Sequence, residues 1–381
     1  MTDEKATVSE GLEDVLVAET RLSEVDGEHG HLTIAGESVE AVAENRTLEE
    51  VALRLRRAAD GRPLEVPAVE LSQFRRRLGR ARRVAFEALT GEGGFRRRVF
   101  ERDEPMEALR AALAAMESRG EPDEDAPRIV GAIPVANALW LRAQDDRPPV
   151  APDPDASHAA DYLRMIAGEK PSGADVEALE RYLMAVSDHG VNASTFTARV
   201  IASTGSDTIS ALVGAVGALK GPLHGGAPGP VLDMFDAIGE ADRAAEWIRD
   251  ELDAGRRIMG MGHRVYRVRD PRAAVFEEAI GRLAARPGTD RRLELARSVE
   301  SAAEEILAER HPDRDLRANV EFYTAVLLEA VGIPRELFTA TFAAGRAFGW
   351  VAHVVEQKRT GRLIRPRARY VGGWEQRPVG R

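Results

Sequence analysis

The 381-residue chain contains no cysteine, which excludes disulfides, thiolate metal ligands and a cysteine nucleophile. It has no apolar run long enough to cross a membrane. The opening Met1-Thr2-Asp3-Glu4-Lys5 offers neither the basic nor the apolar part of a secretory leader, so the expectation is a cytoplasmic protein. No segment alternates apolar and polar residues for long enough to build a sizeable sheet. Lysine is scarce beside arginine, and the 53 basic residues are outnumbered by 63 acidic ones. The net charge of −10 disfavours general nucleic-acid binding.

What is present is helical. With 44% hydrophobic residues the chain can bury a large core, divided into more than one domain. Apolar residues recur at helical spacing over 11–18, 48–59, two stretches of 104–142 split by the polar 120–125, and 157–163. The same spacing returns over 176–186, where Ser172 is the expected N-cap, and over 193–219, 229–253, 273–284, 291–309, 318–331 and 335–356. Residues 21–27 and 31–36 read as turns around a short strand pair. The proline-rich 147–154 has the composition of a linker. Between 71 and 100 lie three arginine clusters, at 75–77, 80–83 and 96–98. They could form a nucleic-acid patch, but the acidic balance favours a solvated helix face with Phe74, Leu78, Val84 and Phe86 as its apolar contacts. The fold class expected is mainly α.

Four stretches carry chemistry. Gly221-Pro222-Leu223-His224-Gly225-Gly226-Ala227 wraps a histidine in glycine, where backbone and a substrate can approach closely. Asp188-His189-Gly190-Val191-Asn192 precedes it, and Met259-Gly260-Met261-Gly262-His263-Arg264-Val265-Tyr266-Arg267, then Asp270-Pro271-Arg272, follow. The fourth is Asn319-Val320-Glu321-Phe322-Tyr323. A neutral imidazole can donate a hydrogen bond to a carbonyl oxygen and stabilise an enolate forming there. Each histidine alone would be an ordinary structural one. His189, His224 and His263 share no short spacing on one helix, so no metal site is expected. Arg272, Arg346 and Arg365 offer planar forks that suit a small polycarboxylate.

In this order, the four stretches resemble the citrate synthase family. The likeness is continuous from about residue 148 to Tyr370 and thinner before it. The resemblance implies a helical fold with a large domain (1–225 and 333–381) and a small domain (226–332) that close over a cleft. It implies condensation of acetyl-CoA with oxaloacetate, or of propionyl-CoA to give 2-methylcitrate. A binding paralogue without efficient turnover is a third reading. The implied catalytic residues are His224, His263 and Glu321, with His189, Arg272, Arg346 and Arg365 on oxaloacetate and Arg267 with Gly260, Met261 and Gly262 on CoA. Arg365 would reach the neighbouring subunit's site, making a homodimer or dimer-based oligomer, and no metal or redox cofactor is implied. At Glu321 the family pattern has aspartate. One further methylene extends the carboxylate by roughly 1.5 Å, and a misplacement of about 1 Å can cost on the order of 100-fold in rate.

Overall fold

The computed structural model describes residues 8–12, 15–91, 98–225, 228–262, 266–283 and 288–372. Strands β1 (Ser23–Asp26), β2 (His31–Ile34) and β3 (Glu37–Ser38) form a small antiparallel sheet in that order, with Ser23 opposite Ile34 and Thr33 opposite Ser38. The helices that follow are α1 (Val39–Asn45), α2 (Leu48–Asp60), α3 (Ala68–Thr90), α4 (Pro105–Ala114) and α5 (Pro122–Gln144). Next come α6 (His158–Ala167), α7 (Gly173–Ala185), α8 (Ala193–Ser203), α9 (Thr208–Leu219) and α10 (Pro228–Ile238). The series ends with α11 (Ala244–Asp253), α12 (Pro271–Arg282), α13 (Thr289–Arg310), α14 (Val320–Ala330) and α15 (Phe338–Thr360). The fold is mainly α, as the apolar spacing required.

Helix starts follow the side chains that can satisfy free backbone N–H groups. Ser172 accepts from the Asp175 amide, and Asp175 returns the bond to the Ser172 amide, a reciprocal capping box. Asn192, Asp207, Asp270 and Asn319 cap α8, α9, α12 and α14. The Asp207 cap divides the single expected stretch 193–219 into two helices, and a 3-10 turn at Ala241–Arg243 divides 229–253. The expected helix over 11–18 is not one. There is a 3-10 turn at Glu10–Leu12, residues 15–20 are in no helix, and Leu16 is 97% exposed. Its apolar residues have no core of their own chain to face, and a short isolated helix without tertiary packing is unstable.

The arginine stretch lies mostly on α3, where Arg83 pairs with Glu87 and Arg75 approaches Glu49. Leu78 is buried and Phe74 and Phe86 pack on the core, whereas Val84 is exposed, contrary to expectation. Arg82 departs further from a solvated face. It is buried, pairs with Asp161 at 2.6 Å, and donates to the carbonyls of Asp153 and Ala156. That anchor fastens the proline-rich turn into the fold. The cluster over 95–97 lies outside the described residues.

Helix α15 runs through the centre, buried from Phe338 to Gln357 along most of its surface and packed against α2, α5, α8 and α9. Two glycines let another segment press onto it. A side chain at Gly345 would meet the Leu183 carbonyl, and one at Gly349 would meet the Ser187 carbonyl and the Asp188 side chain. The end of α7 and the turn carrying Asp188 and His189 are thereby set directly on α15.

Candidate active site

His224 stands in the turn after α9, and its Nε2 lies 2.8 Å from Ser194 Oγ on α8. The Trp350 indole of α15 donates to the same oxygen at 3.1 Å, and Asn192 Oδ1 lies 2.9 Å away. Trp350 can only donate and Asn192 Oδ1 can only accept, so Ser194 accepts from Trp350 and gives its own proton to Asn192. His224 Nε2 therefore carries the ring proton and donates to Ser194, the same N–H that an incoming carbonyl oxygen would take over. Burial, helped by the charge of Arg346, pushes the His224 imidazole down to about 4, so the ring is neutral at pH 7.

Glu321 is the second residue of α14. The Asn319 side chain accepts from the Glu321 amide at 3.0 Å and donates to the Gly262 carbonyl at 3.0 Å. The Asn319 amide bonds the Gly260 carbonyl at 2.9 Å, and the Gly262 amide bonds the Arg317 carbonyl at 2.7 Å. Gly260 and Gly262 take φ of 74° and 83°, left-handed values that glycine adopts freely. The loop Gly260-Met261-Gly262 and the start of Glu321's helix are therefore one stitched unit. Burial raises the Glu321 carboxyl to about 7, with Arg272 opposing and Asp270 adding to the rise. A carboxyl held there takes up and releases protons near neutral pH.

The two interior arginines differ. Arg272, buried at the start of α12, is gripped by its own N-cap: Nε and Nη2 lie 3.0 and 2.6 Å from the two oxygens of Asp270. Arg346, buried on α15, gives Nε to the Val186 carbonyl at 2.6 Å and lies over the Phe342 ring at 4.7 Å. Among the described residues no carboxylate stands within ion-pair distance of it, and burial lowers its pKa to about 10 against the pull of Asp188. A buried guanidinium without a carboxylate partner is a receptor for an anion. Tyr182 on α7 is fully buried, its hydroxyl has no partner among the described residues, and the charges of Arg346, Arg272 and Glu321 all reach it.

His189 Nε2 lies 3.1 Å from the Tyr266 hydroxyl, the rings meeting edge to face. Arg267 is exposed, with its amide bonded to the Gly27 carbonyl at 2.7 Å. Arg365 sits on the exposed C-terminal segment, in a cleft shared with Val15, Arg21, Phe196 and Gln357. That cleft includes none of His189, His224, Arg272, Arg346 and Glu321. His263 lies outside the described residues. Among the described residues no three His, Asp or Glu side chains converge as a metal site. A separate cleft between α2, α3, α5 and α15, lined by Leu53, Phe74, Val130 and Phe348 with ion-paired Arg56 and Asp123, holds none of these groups.

Sequence reasoning missed Ser194, Trp350's bond to it, Asp270 as the counter-ion of Arg272, and Tyr182. The first three stood inside or beside quoted motifs. Tyr182 carries no signal beyond its place one helical turn before the Asp188 turn.

The class defined is a helical protein whose core exposes a neutral histidine, a carboxyl titrating near 7 and a guanidinium open to an anion. The family profile described as "Citrate synthase, C-terminal domain" matches residues 11–367. A citrate synthase of Haloferax volcanii is 39% identical over 95% of each chain, and a 2-methylcitrate synthase of Mycobacterium tuberculosis is 34% identical over 97% of this chain and 92% of its own. The solved structure of citrate synthase from Thermoplasma acidophilum, a ternary complex with carboxymethyl coenzyme A and oxaloacetate, superposes with a TM-score of 0.84 at 29% identity, covering 98% of both chains. The chain belongs to the citrate synthase family.

Proposed function

We propose that this chain condenses acetyl-CoA with oxaloacetate and hydrolyses the product thioester, giving citrate and CoA. Glu321 takes a proton from the methyl group of acetyl-CoA while His224 donates a hydrogen bond to the thioester oxygen. The carbon so activated attacks the keto carbon of oxaloacetate, and His263 donates a proton to the keto oxygen. Water then cleaves the citryl thioester. His189 and Arg346 hold the oxaloacetate carboxylates, Arg272 adds to them only the Nη1 that its pair with Asp270 does not use, and Arg267 with Gly260, Met261 and Gly262 receives CoA. No step of this sequence calls for a metal or redox cofactor. The observation that carries the reading is the neutral His224 and the near-neutral Glu321 carboxyl within reach of Arg346 and Arg272. Two groups whose environments push their pKa values apart are what acid–base division of labour needs.

In the same reading, residues 226–332 form the smaller domain and close on 1–225 and 333–381, excluding water until condensation is complete. Arg365 acts in the site of a second copy. The exposed Val15, Leu16, Leu363 and Val371 on the two terminal segments support a dimer, since exposed apolar surface is what a second copy would cover. An active species that sediments as a monomer would contradict the shared site.

The test is CoA-thiol release with oxaloacetate and, in parallel, acetyl-CoA and propionyl-CoA. Faster turnover with acetyl-CoA is expected. The 2-methylcitrate synthase relative favours the second reading, in which propionyl-CoA is preferred; one methylene in the acyl pocket is worth only ~1–3 kcal/mol. Folded protein that binds oxaloacetate yet releases no thiol would be a binding paralogue instead.

A further inference from the structure

Behind the site a row of buried polar groups runs through the protein. Asp188 Oδ1 lies 3.1 Å from His353 Nε2, and His353 Nδ1 lies 2.9 Å from Arg199 Nη1. Arg199 also gives Nη1 to Glu356 Oε2 at 2.7 Å and Nε to Gln357 Oε1 at 3.0 Å. The far end meets both terminal segments: Glu356 Oε1 accepts the Arg21 amide at 3.0 Å, and Gln357 Nε2 donates to the Arg362 carbonyl at 3.2 Å. Asp188, His353, Arg199 and Glu356 are all buried.

The bonds fix the state of the histidine. A guanidinium has no acceptor, so Arg199 must donate and His353 Nδ1 must carry the lone pair. The ring proton is then on Nε2 and is given to Asp188. Geometry also fixes where Asp188 stands. On α15, Arg346, Gly349 and His353 follow at intervals of three and four residues and share one face. Asp188 lies against the bare Gly349, one turn from His353 and one turn from Arg346. From the terminal segments inward the row therefore reads Glu356 negative, Arg199 positive, His353 neutral, Asp188 negative, Arg346 positive. Its last member is the guanidinium left without a carboxylate, and Asp188 is followed directly by His189.

We infer that His353 is a positioning residue for oxaloacetate recognition, holding Asp188 on Gly349 so that the Arg346 fork and His189 are set for the incoming carboxylates, and that Arg199, Glu356 and Gln357 tie this setting to the terminal segments. The inference rests on the proposed reaction for the identity of the anion. The row explains why a buried cation without a carboxylate partner stays in place: the nearest negative charge is pinned one turn away, near enough to hold Arg346 charged and too constrained to occupy its fork. It also links the pocket to the segment carrying Arg365, which begins three residues beyond Arg362.

The experiment compares His353→Ala and His353→Gln with the unaltered protein, reading KM and kcat for oxaloacetate, its Kd by calorimetry, and Tm. Loss of a hydrogen bond to a charged group predicts a rise of about 10-fold or more in KM and Kd for His353→Ala, with kcat at saturation nearly kept. Glutamine offers both a donor for Asp188 and an acceptor for Arg199, so His353→Gln recovers most of that loss. A lowered Tm with KM and Kd unchanged, or a fall confined to kcat, overturns the proposal. Should His353→Ala not fold, Gln357→Met at the rim of the row replaces it. A rise of about 2-fold to 5-fold in the same KM is then expected, and no rise overturns the proposal. If the unaltered protein neither turns over nor binds oxaloacetate, the proposed reaction fails on its own. The imidazole 15N shifts of His353 still decide the row, and a proton found on Nδ1 refutes it.

Discussion

Arg272 and Arg346 are both buried and lie within reach of each other's charge, yet the fold treats them in opposite ways. Arg272 is closed on the protein itself, its fork filled by Asp270, which also caps the helix that carries it. The neighbouring Glu321 unit is closed too, its loop and helix start sewn together through Asn319. Around Arg346 the polar groups are left open. Among the described residues its fork has no carboxylate and the Tyr182 hydroxyl has no partner, and Asp188 is held one turn away. The difference teaches which side is built as framework and which as receptor. A charge that completes its own ion pair keeps the backbone in place, and one left incomplete keeps its affinity for a ligand.

Glu321→Gln is the largest break that can be made on the closed side. It preserves shape and removes basicity, so kcat falls by about 1000-fold while oxaloacetate binding is kept. In the unaltered protein kcat/KM for acetyl-CoA should fall about tenfold per pH unit below about 7, where the carboxyl becomes protonated. The same group leaves a mark on stability. Folding raises its pKa from 4.5 to about 7, so in that window the folded form holds more protons than the unfolded one, and stability falls as pH rises through it. Denaturation curves of Glu321→Gln should lack that slope. A variant with full kcat would show that the glutamate is not the base.

Replacing each arginine by methionine sets the two sides against each other. Arg272→Met strands a buried carboxylate, and breaking such a pair costs about 3–5 kcal/mol, visible as a large drop in Tm. Arg346→Met removes a buried cation that has no carboxylate to lose, so Tm should hold or rise. Its cost appears in KM for oxaloacetate, about 100-fold from the loss of a charge-assisted fork. Equal losses of Tm in the two variants would erase the distinction between framework and receptor.

Much of this was legible in the sequence wherever one residue's role is local. Ser172 announces a helix start because its side chain reaches the next free amide. Helical spacing located α12 because it turns one face to the core, and α2, α5 and α14 because their apolar residues recur at helical intervals even where the helix is buried all round. Of the motif positions, Arg346 lies within reach of the charge of Arg272 and its own charge reaches His224. What stayed hidden depends on partners distant in sequence. Arg82 looked like one arginine of a solvated run until Asp161, 79 residues away, drew it inside. Leu16 looked like part of a helix because spacing cannot tell a core-facing residue from one with no core to face. Arg272 looked equivalent to Arg346, since the side-chain direction that gives Asp270 to one and not to the other is a tertiary fact.

Ser194→Ala is the finest probe, because it alters the receptor side without touching a charge. The hydroxyl accepts from Trp350 and meets His224 Nε2, so its removal leaves both rings without that partner while the apolar packing stays. His224 would remain neutral, since burial and Arg346 set its ionisation. What is lost is the control over which nitrogen carries the proton and where the ring points. The expected effect is about tenfold in kcat, the equivalent of one modest hydrogen bond made in the transition state. KM for oxaloacetate should stay within about twofold, because Arg346 keeps its bond to Val186 and its place over Phe342. Ser194→Thr retains a hydroxyl and should recover most of the rate. A rise in KM instead of a fall in kcat would mean that Ser194 serves the anion pocket, and the open side would then work as one unit rather than as a receptor beside an independently oriented histidine.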